Sequence, residues 1–419
     1  MRLLVFNAGS SSLKFDLIDV SAGTKAPRIA AGSFTDAGGS SGQYVLRTAA
    51  PTRDESAVHV SSLAEAAECA LDWLADVSIH GSNLLDCVAA TVHRIVHGGE
   101  QFRAPTVLND PEIEALNRLS PLAPLHNPPA LAVIAAVRRR PGLAVPTIGV
   151  FDTAYYASLP EAAYRYAVPS RWHAEFGVRR FGFHGFAHRY LCERACARLD
   201  LPPATARLVS LQLGRGCSVT ASAGGQAVAT SMGFTPLEGL VMGTRCGDID
   251  AGAVLHVMQS SDMSAADMSR ELNQRSGLLG LSGRSADMRE LVDMARRGDA
   301  DAELAVEVFC RRARHYLAAY VAELGGVDAI IFGGGIGENS PEVRRRIAGG
   351  LAWAGIAIDP VSNDSSIGIE ATISAAGSRA AVLALTVDEA SVIAAEAANM
   401  LTNQPAATRP PAGSRLSPR

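Results

Sequence analysis

Residues 5–15 read VFNAGSSSLKF, and residues 210–221 read SLQLGRGCSVTA. In each stretch a short apolar run of strand type meets a cluster of small residues and then a second strand-like run. Laid one on the other, they align Asn7 with Gln212 and Gly9 with Gly214. Glycine lets backbone N–H groups approach a phosphate closely, and hydroxyls add donors without bulk. Neither stretch is a Walker loop, because GxxxxGK[ST] is absent and the turn joins two strands. A separation of roughly 200 residues far exceeds a solenoid period. The pair points to a duplicated α/β domain with a cleft between the copies, each copy contributing one hairpin tip.

The segments between and beyond the hairpins alternate in type. SSLAEAAECALDWLAD (61–76) has helical spacing, CVAATVHRIVHGG (87–99) reads as a strand running into a loop, and HNPPALAVIAAVRRR (126–140) as a helix. In that helix Asn127 is placed to cap and Pro128 to occupy the first turn. PTIGVFD (146–152) reads as a buried strand ending in an acid, and GFAHRYLCERACARLD (185–200) as a helix. The clearest helix is DAELAVEVFCRRARHYLAAYVAEL (301–324), in which Ala305, Phe309, Ala313, Tyr316, Tyr320 and Leu324 recur on one face. VDAIIFGGGIGENSPEVRRRIAGGL (327–351) predicts strand, glycine loop and helix, with Ser340 and Pro341 at the cap and first turn. Residues 403–419, rich in Pro, Ala, Ser and Arg with almost nothing to bury, read as a disordered tail.

The chain has 419 residues, enough for two large domains, and 48% of them are apolar. A net charge of −4 with 19% charged residues argues against a nucleic-acid partner. The longest apolar runs fall far short of the roughly 18 residues that span a membrane, and MRLLVF is too short for a signal peptide. A cytoplasmic protein is expected. Its 7 cysteines, scattered without a CxxC, fit reduced thiols better than disulfides or a zinc site.

Six further motifs follow the first hairpin in order: TVHRIVHGGE (91–100), PLAPLHNPP (121–129), GVFDTAYY (149–156), FGFHGFAH (181–188), TSMGFTPLEGLVMGTRCGDIDAG (230–252) and FGGGIGENS (332–340). Together with the hairpin they resemble the acetate kinase family, the acetate/propionate kinases of the actin, Hsp70 and sugar-kinase superfamily. The resemblance runs from residue 2 to about 400. It implies an α/β fold of two ribonuclease-H-like domains, each a mixed sheet flanked by helices, with the active-site cleft between them. Residues 1–150 would form the first domain, completed by a C-terminal helix near 387–402, and 151–386 the nucleotide-binding domain. It also implies a homodimer, and a reversible transfer of phosphate from ATP to acetate or propionate that requires Mg²⁺ or Mn²⁺ and yields an acyl phosphate.

Roles follow by matching positions. Phosphoryl transfer depends mainly on positioning and charge neutralisation, and a planar guanidinium suits both. Arg94 and Arg245 match the family's two arginines, His184 the histidine that holds the transferred phosphoryl, Asp152 the acid near the carboxylate, and His126 a further active-site histidine. His184 and His188 lie one helical turn apart, but no third ligand makes them a metal pair, and His188 reads as structural. Asn7 and Glu389 match the metal-side residues, with Asp388 as a substitute if the register slips by one. Ser10, Ser12 and Lys14 match the phosphate-side hairpin, and Gly214, Arg215 and Gly216 the second one. Gly335, Ile336, Gly337, Asp287 and Arg289 match the adenosine side, and Val96, Leu125, Phe183 and Pro236 the small apolar acyl pocket.

The chain departs from the family at the second hairpin, where the family usually has HLGNG and this chain has Gln212-Leu213-Gly214-Arg215-Gly216. Arg215 leaves two outcomes open: a firmer grip on the β- or γ-phosphate, or obstruction of the nucleotide in favour of a smaller donor such as pyrophosphate. TVDEA and SADMR, in place of TNEEL and SSDFR, are milder changes. The rival readings are the same fold with a longer carboxylate or pyrophosphate, and a non-catalytic nucleotide-gated binding protein. Asp152, His184 and both arginines together argue against the second rival.

Overall fold

The structure, a computed structural model, describes residues 1–9, 11–21, 26–35, 37, 43–48, 53–57, 60–79 and 82–403. Ser10 and the tail beyond residue 403 lie outside the described residues. The strands are β1 (Arg2–Ala8), β2 (Leu13–Asp19), β3 (Arg28–Thr35), β4 (Gln43–Thr48), β5 (Arg53–Ala57), β6 (Ser78–Ile79), β7 (Ser82–Asn83), β8 (Val88–Ile95), β9 (Thr106–Val107), β10 (Thr147–Phe151), β11 (Arg207–Leu213), β12 (Cys217–Ala223), β13 (Gln226–Thr230), β14 (Ala329–Gly333), β15 (Ala371–Thr372) and β16 (Ala381–Ala384). Eight of them form one sheet in the order β5-β4-β3-β2-β1-β8-β10-β9, and six form a second in the order β13-β12-β11-β14-β16-β15. The remaining pair, β6 and β7, makes a small separate hairpin.

The two sheets repeat one topology. Both begin with three antiparallel strands, β1-β2-β3 and β11-β12-β13. In both, the first strand also pairs in parallel with a later one, β1 with β8 and β11 with β14, and a further parallel strand, β10 or β16, follows. This is the duplicated α/β arrangement expected from the hairpin pair, with the mixed sheets that the family resemblance implies. Each tip is closed by its leading glycine, Gly9 N–H donating to Ser12 O at 2.8 Å and Gly214 N–H to Gly216 O at 3.1 Å, the second tip being one residue shorter.

Helices cover both faces of each sheet, as mixed sheets with parallel strands require. On the first sheet, Leu63, Ala66, Ala67, Ala70, Leu71 and Leu74 of helix Leu63–Asp76 pack against Leu4, Phe6, Phe15 and Leu17. The opposite face, with Leu3, Val5, Val92 and Ile148, is closed by helix Glu389–Asn403 through Ala390, Val392, Ile393, Ala394 and Ala397. Burying Val392 and Ile393 alone contributes about 3–6 kcal/mol. The second sheet packs on helix Ala300–Glu323, which buries Ala305, Phe309, Ala313 and Tyr320 as its spacing predicts, and on helix Gly185–Leu199. All 7 cysteines are free thiols. Among the described residues no helix is long and apolar enough to cross a membrane.

Two local expectations need correction. Asn127 does not cap its helix: the helix runs Asn127–Arg138 with His126 at the capping position. The Asn127 side chain is fully buried and clamps the loop after β8, accepting from His97 N–H at 3.1 Å and donating to His97 O at 2.9 Å. A buried amide satisfied on both ends is held more firmly there than at an exposed cap. The expected glycine loop after β14 is itself a short helix, Gly334–Asn339. Gly334, at φ +74°, supplies the reversal, and its α-carbon lies so close to Leu213 O that a Cβ there would sit 2.6 Å from it. Ser340 does cap the next helix, Pro341–Ala348, accepting from Val343 N–H.

Candidate active site

The parallel strands β1, β8 and β10 run side by side and end together, which places ligand-binding groups at their carboxyl ends. Register sets Asn7 beside Arg94 and Arg94 beside Val150, two residues before Asp152. Arg94 then reaches three partners. Its Nε and Nη2 donate to the two Asp152 oxygens at 2.7 and 2.6 Å, and its Nη1 donates to Asn7 Oδ1 at 2.9 Å and Glu389 Oε2 at 3.2 Å. Asn7 Nδ2 donates to the same Glu389 oxygen at 2.9 Å. The last helix thus begins at the end of the first strand. Burial alone would favour a neutral Arg94, but Asp152 and Glu389 outweigh it and hold the guanidinium charged.

Arg245 is the opposite case. It lies in the loop between β13 and helix Ala251–Ser261, its Nη1 donates to Pro236 O at 3.0 Å, and among the described residues no carboxylate pairs with it. Burial accordingly lowers its pKa. A partly buried cation without a counter-ion is an anion site in waiting. It borders a cavity of about 320 Å³ whose walls include Leu122, Leu125, His126, Pro236 and Leu237. His126 is held down at about 3, first by burial and then by Arg245 and Arg94.

His184 completes the group. It precedes helix Gly185–Leu199 with φ 58° and ψ 32°, a left-handed conformation that costs a non-glycine residue about 1–2 kcal/mol. Asp152 Oδ2 accepts its backbone N–H at 3.2 Å, and its Nδ1 meets Ser218 Oγ at 2.9 Å. Its pKa lies well below the ordinary imidazole value, first through burial, then through Arg94, His188, Arg245 and His126. Gly216 touches the same spot: a Cβ there would lie 3.3 Å from His184 Nε2 and 3.7 Å from Arg245 Nη1. The second hairpin tip, both arginines and both histidines therefore converge.

The structure sorts the remaining sequence-derived residues. Burial raises the Glu338 pKa; the Val387 and Gly334 backbone N–H groups and, least, the charge of exposed Lys14 on β2 work against that rise, which sets the first hairpin near the helix holding Gly335, Ile336 and Gly337. Ser12 is half-buried at its tip. Gly335 borders open space: a Cβ added there would meet nothing within 4 Å. Asp287 caps helix Met288–Arg296 and pairs with Arg289 at 2.8 Å. Its neighbour Ala286 meets Gly243, whose N–H donates to Arg215 O at 3.1 Å. Arg215 itself is exposed. Of the four acyl-pocket residues, Leu125 and Pro236 line the cavity, whereas Val96 and Phe183 belong to the buried cluster of the second sheet. Asp388 pairs with Arg28 at 2.5 Å, leaving Glu389 as the acid beside Asn7. Sequence reasoning missed Ser218, which holds the His184 ring, and Thr153, whose Oγ1 accepts from Gly98 N–H at 3.0 Å. The signal for Ser218 was its place opposite Gln212 in the hairpin register.

Two like sheets, a hairpin tip from each, and a cation-lined apolar cavity between them define a phosphotransferase acting on a small anion. The profile of the Acetokinase family matches residues 2–395. Acetate kinase from Alkaliphilus metalliredigens (strain QYMF) is 39% identical over 407 residues, covering 96% of this chain and 100% of that protein. The crystal structure of Porphyromonas gingivalis acetate kinase superposes with a TM-score of 0.85 at 35% identity, covering 96% of this chain and 99% of that one. A propionate kinase from Francisella tularensis subsp. tularensis SCHU S4 gives 0.87 at 33%, covering 95% and 99%. The chain belongs to the acetokinase family, kinases that transfer phosphate to a carboxylate.

Proposed function

We propose that this enzyme moves the γ-phosphoryl of ATP directly and reversibly onto acetate or propionate. The observation that carries the proposal is Arg245, a cation without a carboxylate partner among the described residues, at the mouth of an apolar cavity beside His126 and His184. The acyl chain sits against Leu125 and Pro236, and its carboxylate oxygen attacks phosphorus in line. A carboxylate carries no proton to remove, so the reaction needs no general base. Neutral imidazoles of His126 and His184 donate N–H groups to the phosphoryl oxygens while Arg245 neutralises their charge. Arg94, gripped by Asp152, supplies a fixed second cation whose remaining donor faces the migrating group.

Mg²⁺ fits what is present. It takes one or two carboxylates together with phosphate oxygens and water, and Glu389 is a single carboxylate at the cleft floor, oriented by Asn7. Bound there with the nucleotide, the ion would neutralise phosphate charge. Adenosine lies along Gly335–Gly337 and Asp287. Residues 1–150 with the last helix, and residues 151–386, act as two lobes closing on the substrates. A homodimer is supported by helix Ala251–Ser261, none of whose residues is buried although Leu255 and Val257 are apolar, with exposed Ile249 just before it.

Hydroxamate trapping with ATP and magnesium across C1 to C4 acids tests the reaction, and light scattering tests the dimer. Arg245→Ala should lower turnover by roughly 10³ or more. Near-normal turnover would count decisively against the assignment. Arg215, exposed beside the phosphate tip, favours including pyrophosphate in the donor panel.

A further inference from the structure

His184 does not stand alone on its inner side. Its Nδ1 meets Ser218 Oγ at 2.9 Å, Ser218 Oγ meets His188 Nε2 at 2.7 Å, and His188 Nδ1 meets Ser210 Oγ at 2.7 Å. Ser218, His188 and Ser210 are all fully buried. His184 sits at the N-terminal cap of the helix that carries His188 four residues on, and the two serines stand on β12 and β11, which pair antiparallel. A helix face and a sheet face thus supply alternate links of one chain.

Counting protons in that chain gives it a direction. A neutral imidazole has one N–H and one lone pair, and a hydroxyl has one proton. Suppose Ser218 gave its proton to His188 Nε2. Then His188 Nδ1–H would donate to Ser210, and among the described residues the Ser210 proton would be left with no acceptor but the weakly accepting Cys192 sulfur, 3.9 Å away. In the reverse sense every proton is used: Ser210 donates to His188 Nδ1, His188 Nε2–H donates to Ser218, and Ser218 donates to His184 Nδ1. Buried polar groups adopt the fully paired arrangement. His184 must then carry its proton on Nε2, the nitrogen beside Gly216 and Arg245 at the cleft.

The geometry points to His188 and Ser218 as positioning residues that lock His184 in its Nε2–H form, presenting a neutral hydrogen-bond donor to the migrating phosphoryl group. The assignment rests on the phosphotransfer reading for its purpose, although the tautomer itself exists without substrate. A free histidine would divide between two tautomers and turn about χ2. Here one orientation and one donor are fixed before substrate arrives, as the outer partner of a metal-bound histidine fixes its ligand.

The test combines ¹⁵N NMR of imidazole-labelled full-length protein with steady-state kinetics. The wild-type His184 spectrum should show protonated Nε2 and unprotonated Nδ1. Ser218→Ala should lose that signature and lower kcat about ten- to a hundredfold with little change in KM for either substrate. Ser218→Thr, which keeps the hydroxyl, should restore both readouts and shows that the loss is not a folding defect. His188→Gln, retaining a donor toward Ser218 and an acceptor toward Ser210, should fall between. Protonated Nδ1 in the wild-type protein, or an unchanged tautomer and kcat in Ser218→Ala, would overturn the inference. Failure to form any acyl phosphate would instead remove the proposed reaction while leaving the NMR result standing.

Discussion

Replacing Asp152 with asparagine isolates the contribution of the pair at the floor of the cleft. The carboxylate is fully buried and accepts two bonds from Arg94, at 2.7 and 2.6 Å, and one from His184 N–H at 3.2 Å. An amide offers one oxygen and one NH₂ on the same frame. Whichever way it turns, its NH₂ faces a guanidinium N–H, donor against donor. Removing one partner of a buried ion pair costs about 3–5 kcal/mol. Glu389 and Asn7 still hold Arg94 Nη1, so the lower end, about 3 kcal/mol, applies. At 2–4 °C per kcal/mol for a unit of 150–250 residues, the unfolding midpoint should fall by roughly 6–12 °C. His184 also loses the anchor of its left-handed backbone, and turnover should fall by about 10² or more through misplacement. Thermal unfolding followed by tryptophan fluorescence, with hydroxamate formation at saturating ATP and acetate, reads both effects. A midpoint within about 2 °C of the parent together with intact turnover would refute the reasoning.

Arg344 is fully buried and donates to Gly337 O, Glu338 O, Asn363 Oδ1, Asn363 O and Ser366 O. Arg344→Met should orphan these acceptors, destabilise the protein by about 3 kcal/mol or more, and raise KM for ATP more than KM for the acid, as paired initial-rate series would show. Gly277→Ala should both destabilise and inactivate, because at φ +63° its Cβ would stand 2.6 Å from Arg245 O and 2.2 Å from Met242 O; a melting curve and a turnover assay report the two losses. Burial holds His93, His97, His126 and His188 down at about 3, 4, 3 and 3. A histidine whose folded pKa is depressed leaves the unfolded chain the stronger proton binder below pH 6.5. Stability should therefore be intact above about pH 6.5 and erode toward pH 4, by up to ~1.4 kcal/mol per histidine per pH unit. His93 stacks on Phe6, and neither ring nitrogen has a hydrogen-bond partner among the described residues, so His93→Phe should flatten that acid limb in a series of melts from pH 8 to pH 4.5.

Legible in the sequence was whatever a local pattern dictates. The two hairpins carry alternation and small-residue turns, and the 24-residue helix Ala300–Glu323 carries an apolar stripe; both kinds of signal survive folding unchanged. Strands β3, β4 and β5 leave no such mark, because segments such as RIAAGSFT mix glycine, polar and apolar residues and are strands only because β2 offers an edge. The site was legible as a set of residues but not as a network. Nothing local says that Arg94 is committed to Asp152 while Arg245 meets no carboxylate among the described residues, since both surroundings arise through strand register and loop packing. Asn127 misled for a related reason: its helix-capping propensity was outweighed by a long-range clamp on His97.

The Asn7–Glu389 hydrogen bond joins residues 382 positions apart. A ribosome makes Asn7 long before Glu389, so the floor of the cleft cannot assemble until the chain through residue 389 has emerged. Until then Leu3, Val5, Val92 and Ile148 have no cover from the final helix, and the growing chain presents a greasy sheet face that chaperones can hold. Catalytic competence thereby requires the final helix to be in place, and proteolytic clipping ahead of residue 389 should silence the enzyme even if every other element stays folded.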